Sequence, residues 1–140
     1  MLGTMLFTNQ EIAGKLREAG LRPTRQRMAL AEILFNAGDR HVSAEALHGE
    51  ALTACVPVSL ATVYNTLNQF TDAGLLREVA IEGNRSYFDT NTSNHFHYFL
   101  EGKNELVDIC SDDVEVRGLP ALPEGTSIDR IDVIVRLKRG

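Results

Sequence analysis

His95 and His97 stand two residues apart in the segment NHFHYFL, with Asp89 ahead of them and Asp108 and Glu115 behind. Imidazole nitrogens and carboxylate oxygens together suit a divalent first-row ion such as Zn, Mn or Fe. On a strand, alternation sends both imidazoles to one face with Cα atoms about 7 Å apart, so both can reach one ion while Phe96 points away. His41 is the other imidazole with a route to such a site; His48 is expected on a solvated helix face. Polar strand surface accounts for the same spacing, so the pair by itself is only moderately specific. A two-histidine, one-carboxylate set also serves catalytic iron or zinc. No HExxH, nucleophile motif or phosphate-binding glycine loop accompanies it here, so a binding role is expected rather than an enzyme.

A second chemistry lies in VSLATVYNTLNQFTDAGLL, Val58 to Leu76. Ser59 can cap a helix, Leu60, Val63, Leu67 and Phe70 form one apolar stripe, and Gly74 can end it. Ser59, Thr62, Asn65, Thr66, Gln69 and the tip of Tyr64 then face outward, and none is an acid. Uncharged polar groups of this kind approach phosphates and base edges closely. Arg25 and Arg27 open an earlier helix, where positive charge opposes the helix dipole, and a phosphate partner would account for them. Lys15, Arg17 and Arg85 are further candidates for phosphate contact. The plain alternative is a solvated amphipathic helix beside solvated arginines.

Charge supports two separate tasks. The net charge of −5 argues against a nucleic-acid binder, yet residues 11–30 carry a local +3 and residues 89–117 a local −5. A basic leading stretch fits a polyanion, and an acidic trailing one fits a cation. With 44% hydrophobic and 24% charged residues, the 140-residue chain belongs with folded proteins. No apolar run nears the roughly 20 residues needed to span a bilayer, and MLGTMLFTNQ has no leader pattern, so a cytoplasmic protein without membrane contact is expected. Cys55 and Cys110 form no CxxC pair and are expected as buried small apolar groups.

The elements that must position these residues follow from breaks and periods. Helices are expected over Glu11 to Ala19, Arg25 to Ala37 and Ala44 to Ala54, with Ala46 and Leu47 inward in the third, followed by the Ser59-capped helix. Strands are expected over Leu75 to Ile81 and Arg85 to Asp89 around a Glu82-Gly83-Asn84 turn. Helix, turn, helix and ribbon make a winged helix, whose second motif helix enters the major groove. Asn91 to Asn94 is a polar hinge. His95 to Leu100, Glu105 to Ile109 and Ile128 to Leu137 follow as three strands, the last with Ile131, Val133, Val135 and Leu137 on one face. Such a sheet has exposed edges that a second copy can cover. The expected fold is α+β: a winged helix-turn-helix domain at 1–90, a hinge at 91–94, and at 95–140 a small α/β dimerisation domain with a three-stranded sheet.

GLRPTRQRMALAEIL, HVSAEAL, ATVYNTLNQF and the wing ending RSYFDT resemble the amino-terminal domain of the ferric uptake regulator family. HFHYFLEGKNELVDI is similar to its metal-binding dimerisation segment. The resemblance runs from about Glu11 to Leu137. It implies a dimeric winged-helix transcriptional regulator with DNA contacts at Tyr64 and its neighbours. It further implies metal ligands among His41, Asp89, His95, His97 and Asp108, with Glu115 matching a second, regulatory site. Paired CxxC motifs are absent, and Asn65 stands where many members have Arg. These features are most similar to the heme-responsive iron response regulator branch of alphaproteobacteria. That likeness implies heme at His95 and His97, control of iron and heme genes, and heme-synthesis proteins as partners; Phe96 interrupts the branch's histidine run. A winged-helix protein-interaction module with a purely structural metal is the alternative.

Overall fold

The computed structural model describes residues 7–83 and 85–139. Residues 1–6, on which most of the leader reading falls, and Asn84 of the ribbon turn lie outside the described residues. The chain divides into two compact units, one ending at Thr92 and the other beginning at Ser93.

Four helices and a small sheet build the first unit: α1 Asn9–Glu18, α2 Arg25–Phe35, β1 His41–Val42, α3 Ala44–Thr53, α4 Leu60–Asp72, β2 Arg77–Glu82 and β3 Arg85–Asp89. Each helix begins where a hydroxyl accepts an otherwise unpaired backbone N–H: Thr8, Thr24, Ser43 and Ser59 cap the four in turn. Thr8 and Glu11 form a full capping box, which starts α1 two residues ahead of the expected position. α4 ends at Gly74, whose φ of +82° lets the Leu75 N–H turn back to the Phe70 carbonyl at 2.9 Å. That cap occupies Leu75, so β2 starts at Arg77 rather than at Leu75. Cys55 takes the corresponding position after α3 with φ +61°, and Val56 N–H reaches Ala51 O at 2.8 Å.

The helices pack their apolar stripes together around Leu16, Leu30, Leu34, Leu47, Val63, Leu67 and Phe70, all shielded from solvent. Two phases differ from expectation. Leu60, in the first turn of α4, is exposed, whereas Thr66 is buried with its hydroxyl donating to Thr62 O at 2.8 Å. Ala44 rather than Ala46 faces inward on α3. His48 is not simply solvated: its Nε2 donates to Val58 O at 3.0 Å and ties α3 to the chain entering α4. Both cysteines are exposed, correcting the expected burial, because each sits where an element ends.

The sheet order is β1-β3-β2, with β1 an unexpected strand that sets His41 opposite Asp89. Arg40, just before β1, forks onto Glu50 of α3 at 2.8 and 2.6 Å, and Thr90 N–H donates to its carbonyl. Through the forked side-chain hydrogen bonds the Arg40 guanidinium holds the Glu50 carboxyl below its ordinary 4.5. A depressed folded-state value contributes stability above the unfolded value and loses it as pH falls through the folded one. Glu50→Gln is therefore expected to cost about 0.5–1 kcal/mol in neutral urea titrations, a modest figure because the pair is partly solvated. The difference should close in strongly acidic buffer.

In the second unit β4 His95–Leu100, β5 Glu105–Cys110 and β6 Ile134–Leu137 make a sheet of order β5-β4-β6. β4 pairs antiparallel with β5 and parallel with β6. β6 starts at Ile134 rather than Ile128, and the preceding stretch is irregular and largely exposed. The helical element here, among the described residues, is the single 3-10 turn Ser111–Asp113. Tyr98 lies opposite Val107 on one side and Val135 on the other, and all three are exposed. They form an apolar strip across the face of β4 that alternates with the histidines. Among the described residues, no helix is long and apolar enough to cross a membrane.

Candidate metal centre and nucleic-acid interface

Alternation along β4 buries His95, His97 and Phe99 on one side. His97 is 2% exposed and its ring centroid lies 4.5 Å from that of His95. The register sets Asp108 of β5 directly opposite His97. Asp108 Oδ1 is 3.6 Å from His95 Nε2 and 3.5 Å from His97 Nε2, so one carboxylate oxygen faces both rings. His95 Nδ1 lies 2.7 Å from Ser93 O. A carbonyl only accepts, so Nδ1 carries the proton and, in the neutral ring, Nε2 keeps its lone pair toward Asp108. Orientation of a ligating ring through its other nitrogen is typical of metal centres. One potential ligand atom from each of the three lies within 4.8 Å of the others. Two buried imidazoles converging on a carboxylate fit a divalent first-row cation in both donor type and spacing.

The remaining sequence candidates belong to other elements. Asp89 ends β3 in the first unit, 1% exposed, with Oδ1 accepting from Asn91 N–H at 2.9 Å. Its neighbours across the sheet are His41 on β1 and Arg77 on β2. Arg77 is buried, and sequence reasoning missed it; the available signal was its phase, shared with buried Val79 and Ile81. Glu115 lies exposed beyond β5, held by Arg117 at 2.6 and 3.0 Å, outside the His95, His97 and Asp108 group.

On the first unit, α4 presents Ser59, Tyr64, Asn65, Asn68 and Gln69 to solvent, with Thr62 half-buried. Ser59 and Thr62 are engaged with each other: the Thr62 N–H donates to Ser59 Oγ at 3.1 Å, and Ser59 donates to Thr62 Oγ1 at 3.0 Å. Arg27 reaches across from α2, with Nε and Nη2 on Gln69 Oε1 at 3.2 and 3.0 Å and Nη1 on Arg22 O at 2.9 Å. Three of its five N–H groups are thereby committed, which aims the guanidinium along α4 rather than leaving it to solvent. A shallow groove of about 290 Å³ between the start of α2 and α4 is lined by Thr24, Gln26, Arg27, Thr62, Asn65 and Gln69. Arg17 and Arg25 are exposed. The Lys15 ammonium lies over the Phe35 ring at 4.9 Å and the Phe7 ring at 5.6 Å, so packing against aromatics accounts for part of its placement. Arg85 sits exposed at the ribbon end, 3.2 Å from Glu82. One acid does border this face: the Tyr64 hydroxyl donates to Glu45 of α3, a contact that raises the phenol above its ordinary 10.0. Sequence could not reveal it, because it depends on how α3 crosses α4.

Comparison with known proteins bears on both halves. The sequence profile of the ferric uptake regulator family matches residues 18–135. The ferric uptake regulation protein of Shigella flexneri is 36% identical over 103 residues, covering 73% of this chain and 70% of its own length. That of Escherichia coli (strain K12) is 35% identical over the same shares. Among solved structures, the ferric uptake regulator from Pseudomonas aeruginosa with manganese superposes with a TM-score of 0.71 at 27% identity, over 91% of this chain and 97% of its own. The Vibrio cholerae ferric uptake regulator gives 0.72 at 26%, over 91% and 98%.

Proposed function

Because the chain belongs to the ferric uptake regulator family, we propose that it is a cytoplasmic, homodimeric transcriptional regulator of iron and heme genes. Its α4 docks in the major groove, and an iron-linked ligand at β4 and β5 controls that docking. It is a metal-responsive regulator rather than an enzyme, as its family is. The observation that carries the DNA reading is the exposed polar face of α4 flanked by Arg25 and Arg27. Tyr64 and Asn65 would meet base edges, Ser59 and Thr62 the helix entry, and Lys15, Arg17, Arg25, Arg27 and Arg85 the phosphates. Dimerisation is supported by the exposed strip Val107, Tyr98 and Val135 and by the two open edges of the second sheet.

His95, His97 and Asp108 would hold the ion, and Zn, Mn or Fe would supply positive charge there that offsets the local acidity. Asp89 and His41 would complete the set from the other side of a hinge at Asn91 to Asn94, so that ligation changes the fraction of dimers able to bind DNA. This last part rests on residue order along the chain. Heme is the second reading, carried by the paired imidazoles and the likeness to the iron response regulator branch; heme-synthesis proteins would then be the partners that deliver the signal. The competing reading, a protein-interaction module with a structural metal, predicts no duplex preference. In gel-shift titrations across salt, Arg25→Ala is expected to flatten the log–log slope by about one unit, and Tyr64→Ala to weaken specific binding about tenfold. Unchanged affinity in both variants at moderate salt would remove the docking.

A further inference from the structure

We propose that Glu45 sets the hydrogen-bond polarity of Tyr64, so that the phenol oxygen meets DNA as an acceptor and selects a base amino group, of adenine or cytosine, in the major groove. The inference rests on the DNA-binding reading above and goes beyond it by assigning a specificity to one atom.

Glu45 lies in the first turn of α3 and Tyr64 on the outward face of α4, where its side chain remains 36% exposed. Their contact is a hydrogen bond of 2.5 Å from the Tyr64 hydroxyl to Glu45 Oε1. An ionised carboxylate has no hydrogen to give, so the direction of that bond is fixed. A tyrosine hydroxyl has one proton, and once it is committed to Glu45 only lone pairs remain for any other partner. Donation to a charged acceptor also polarises the phenol oxygen and makes it the stronger acceptor. The same hydrogen bond raises the pKa of Tyr64 above its ordinary 10.0, so the phenol keeps the proton it donates.

The major groove offers adenine N6 and cytosine N4 as donors, and guanine O6 and thymine O4 as acceptors. An acceptor-only oxygen pairs with the first two and meets lone pairs on the last two. A tyrosine hydroxyl without a fixed partner rotates to suit either class. The neighbouring Asn65 and Asn68 carry amides that both donate and accept, so they do not impose this choice by themselves, and Gln69, its Oε1 taken by Arg27, is left to donate. Glu45 is thus a positioning residue that acts through Tyr64. Its negative charge near the DNA face opposes the phosphates, which makes it a cost to affinity that a purely electrostatic binder would omit.

The test is selection from a randomised duplex pool with the full chain, in manganese and in its absence, for wild type, Glu45→Ala and Tyr64→Phe. Wild type is expected to favour A or C over G or T by about tenfold at one position in each half-site, the size of one well-placed hydrogen bond against an unpaired alternative. Tyr64→Phe should lose that preference. Glu45→Ala should bind duplex at least as tightly, with the amino-over-keto preference at that position reduced to about twofold or less and other positions unchanged. Where adenine is selected, replacing it with purine, which lacks the N6 amino group, should cost wild type the same tenfold and Tyr64→Phe nothing. Retention of the preference in Glu45→Ala, or a keto preference at the position sensitive to Tyr64→Phe, would overturn the inference and leave DNA binding intact. A wild type that enriches no duplex in either condition would overturn both.

Discussion

Changing both His95 and His97 to alanine is expected to abolish stoichiometric binding of manganese, zinc and ferrous iron, weakening it by about a thousandfold or more. Loss of a group that merely supports a ligand already costs about 10–100-fold, and here two of three converging donors go at once. The rings are buried on one face of β4, so nothing solvent-exposed can substitute for them on that strand. Asp108→Asn, which keeps shape and removes charge, should cost less, on the order of 10–100-fold. Equilibrium dialysis with metal analysis reads these losses, and far-ultraviolet circular dichroism checks that the sheet persists. Heme is separated from a bare ion on the same samples, since axial ligation shifts the Soret band on mixing and the double variant should show no shift. Unchanged metal stoichiometry together with unchanged DNA binding would eliminate the sensor.

Much of the scaffold is legible in the chain because local chemistry and global packing agree. Ser59 and Gly74 bracket α4 as capping residues should, and the two-residue period of β4 brings His95 and His97 onto one face. What local rules miss depends on contacts between elements. β1 is two residues long and has no period to detect, yet it places His41 opposite Asp89. Leu60 reads as part of the apolar stripe of α4, but it occupies the first turn, where the helix has left its neighbours; Thr66 is buried instead, its hydroxyl satisfied by the helix's own backbone. The Tyr64 to Glu45 bond and the Arg27 to Gln69 bond join residues 19 and 42 apart, which no window of periodicity spans. Both alter the chemistry of the exposed α4 face. The site was therefore less legible than the fold: residue types were visible, while the partners that tune them were not.

Phe70→Ala should separate the two tasks of the chain. Phe70 is fully shielded and stacks on Phe35 with ring centroids 6.3 Å apart, in the cluster that joins α1, α2, α3 and α4. Truncating a buried phenylalanine costs about 3–5 kcal/mol through lost transfer energy and the cavity left behind. A small domain commonly has about 5–15 kcal/mol in total, so the first unit should unfold at a midpoint lower by roughly 12–40 °C, and binding is assayed between the variant and wild-type midpoints. Displacement of Phe35 would also remove the ring beneath the Lys15 ammonium. Operator binding should then vanish. The donors His95, His97 and Asp108 belong to β4 and β5, so manganese should still bind with altered affinity but intact stoichiometry. Phe70→Leu, which keeps most of the volume, should cost about 1 kcal/mol and preserve both activities. If Phe70→Ala eliminated metal binding as completely as His95→Ala/His97→Ala, then Asp89 or His41 of the first unit would be indispensable ligands, and the three donors of the second would not suffice.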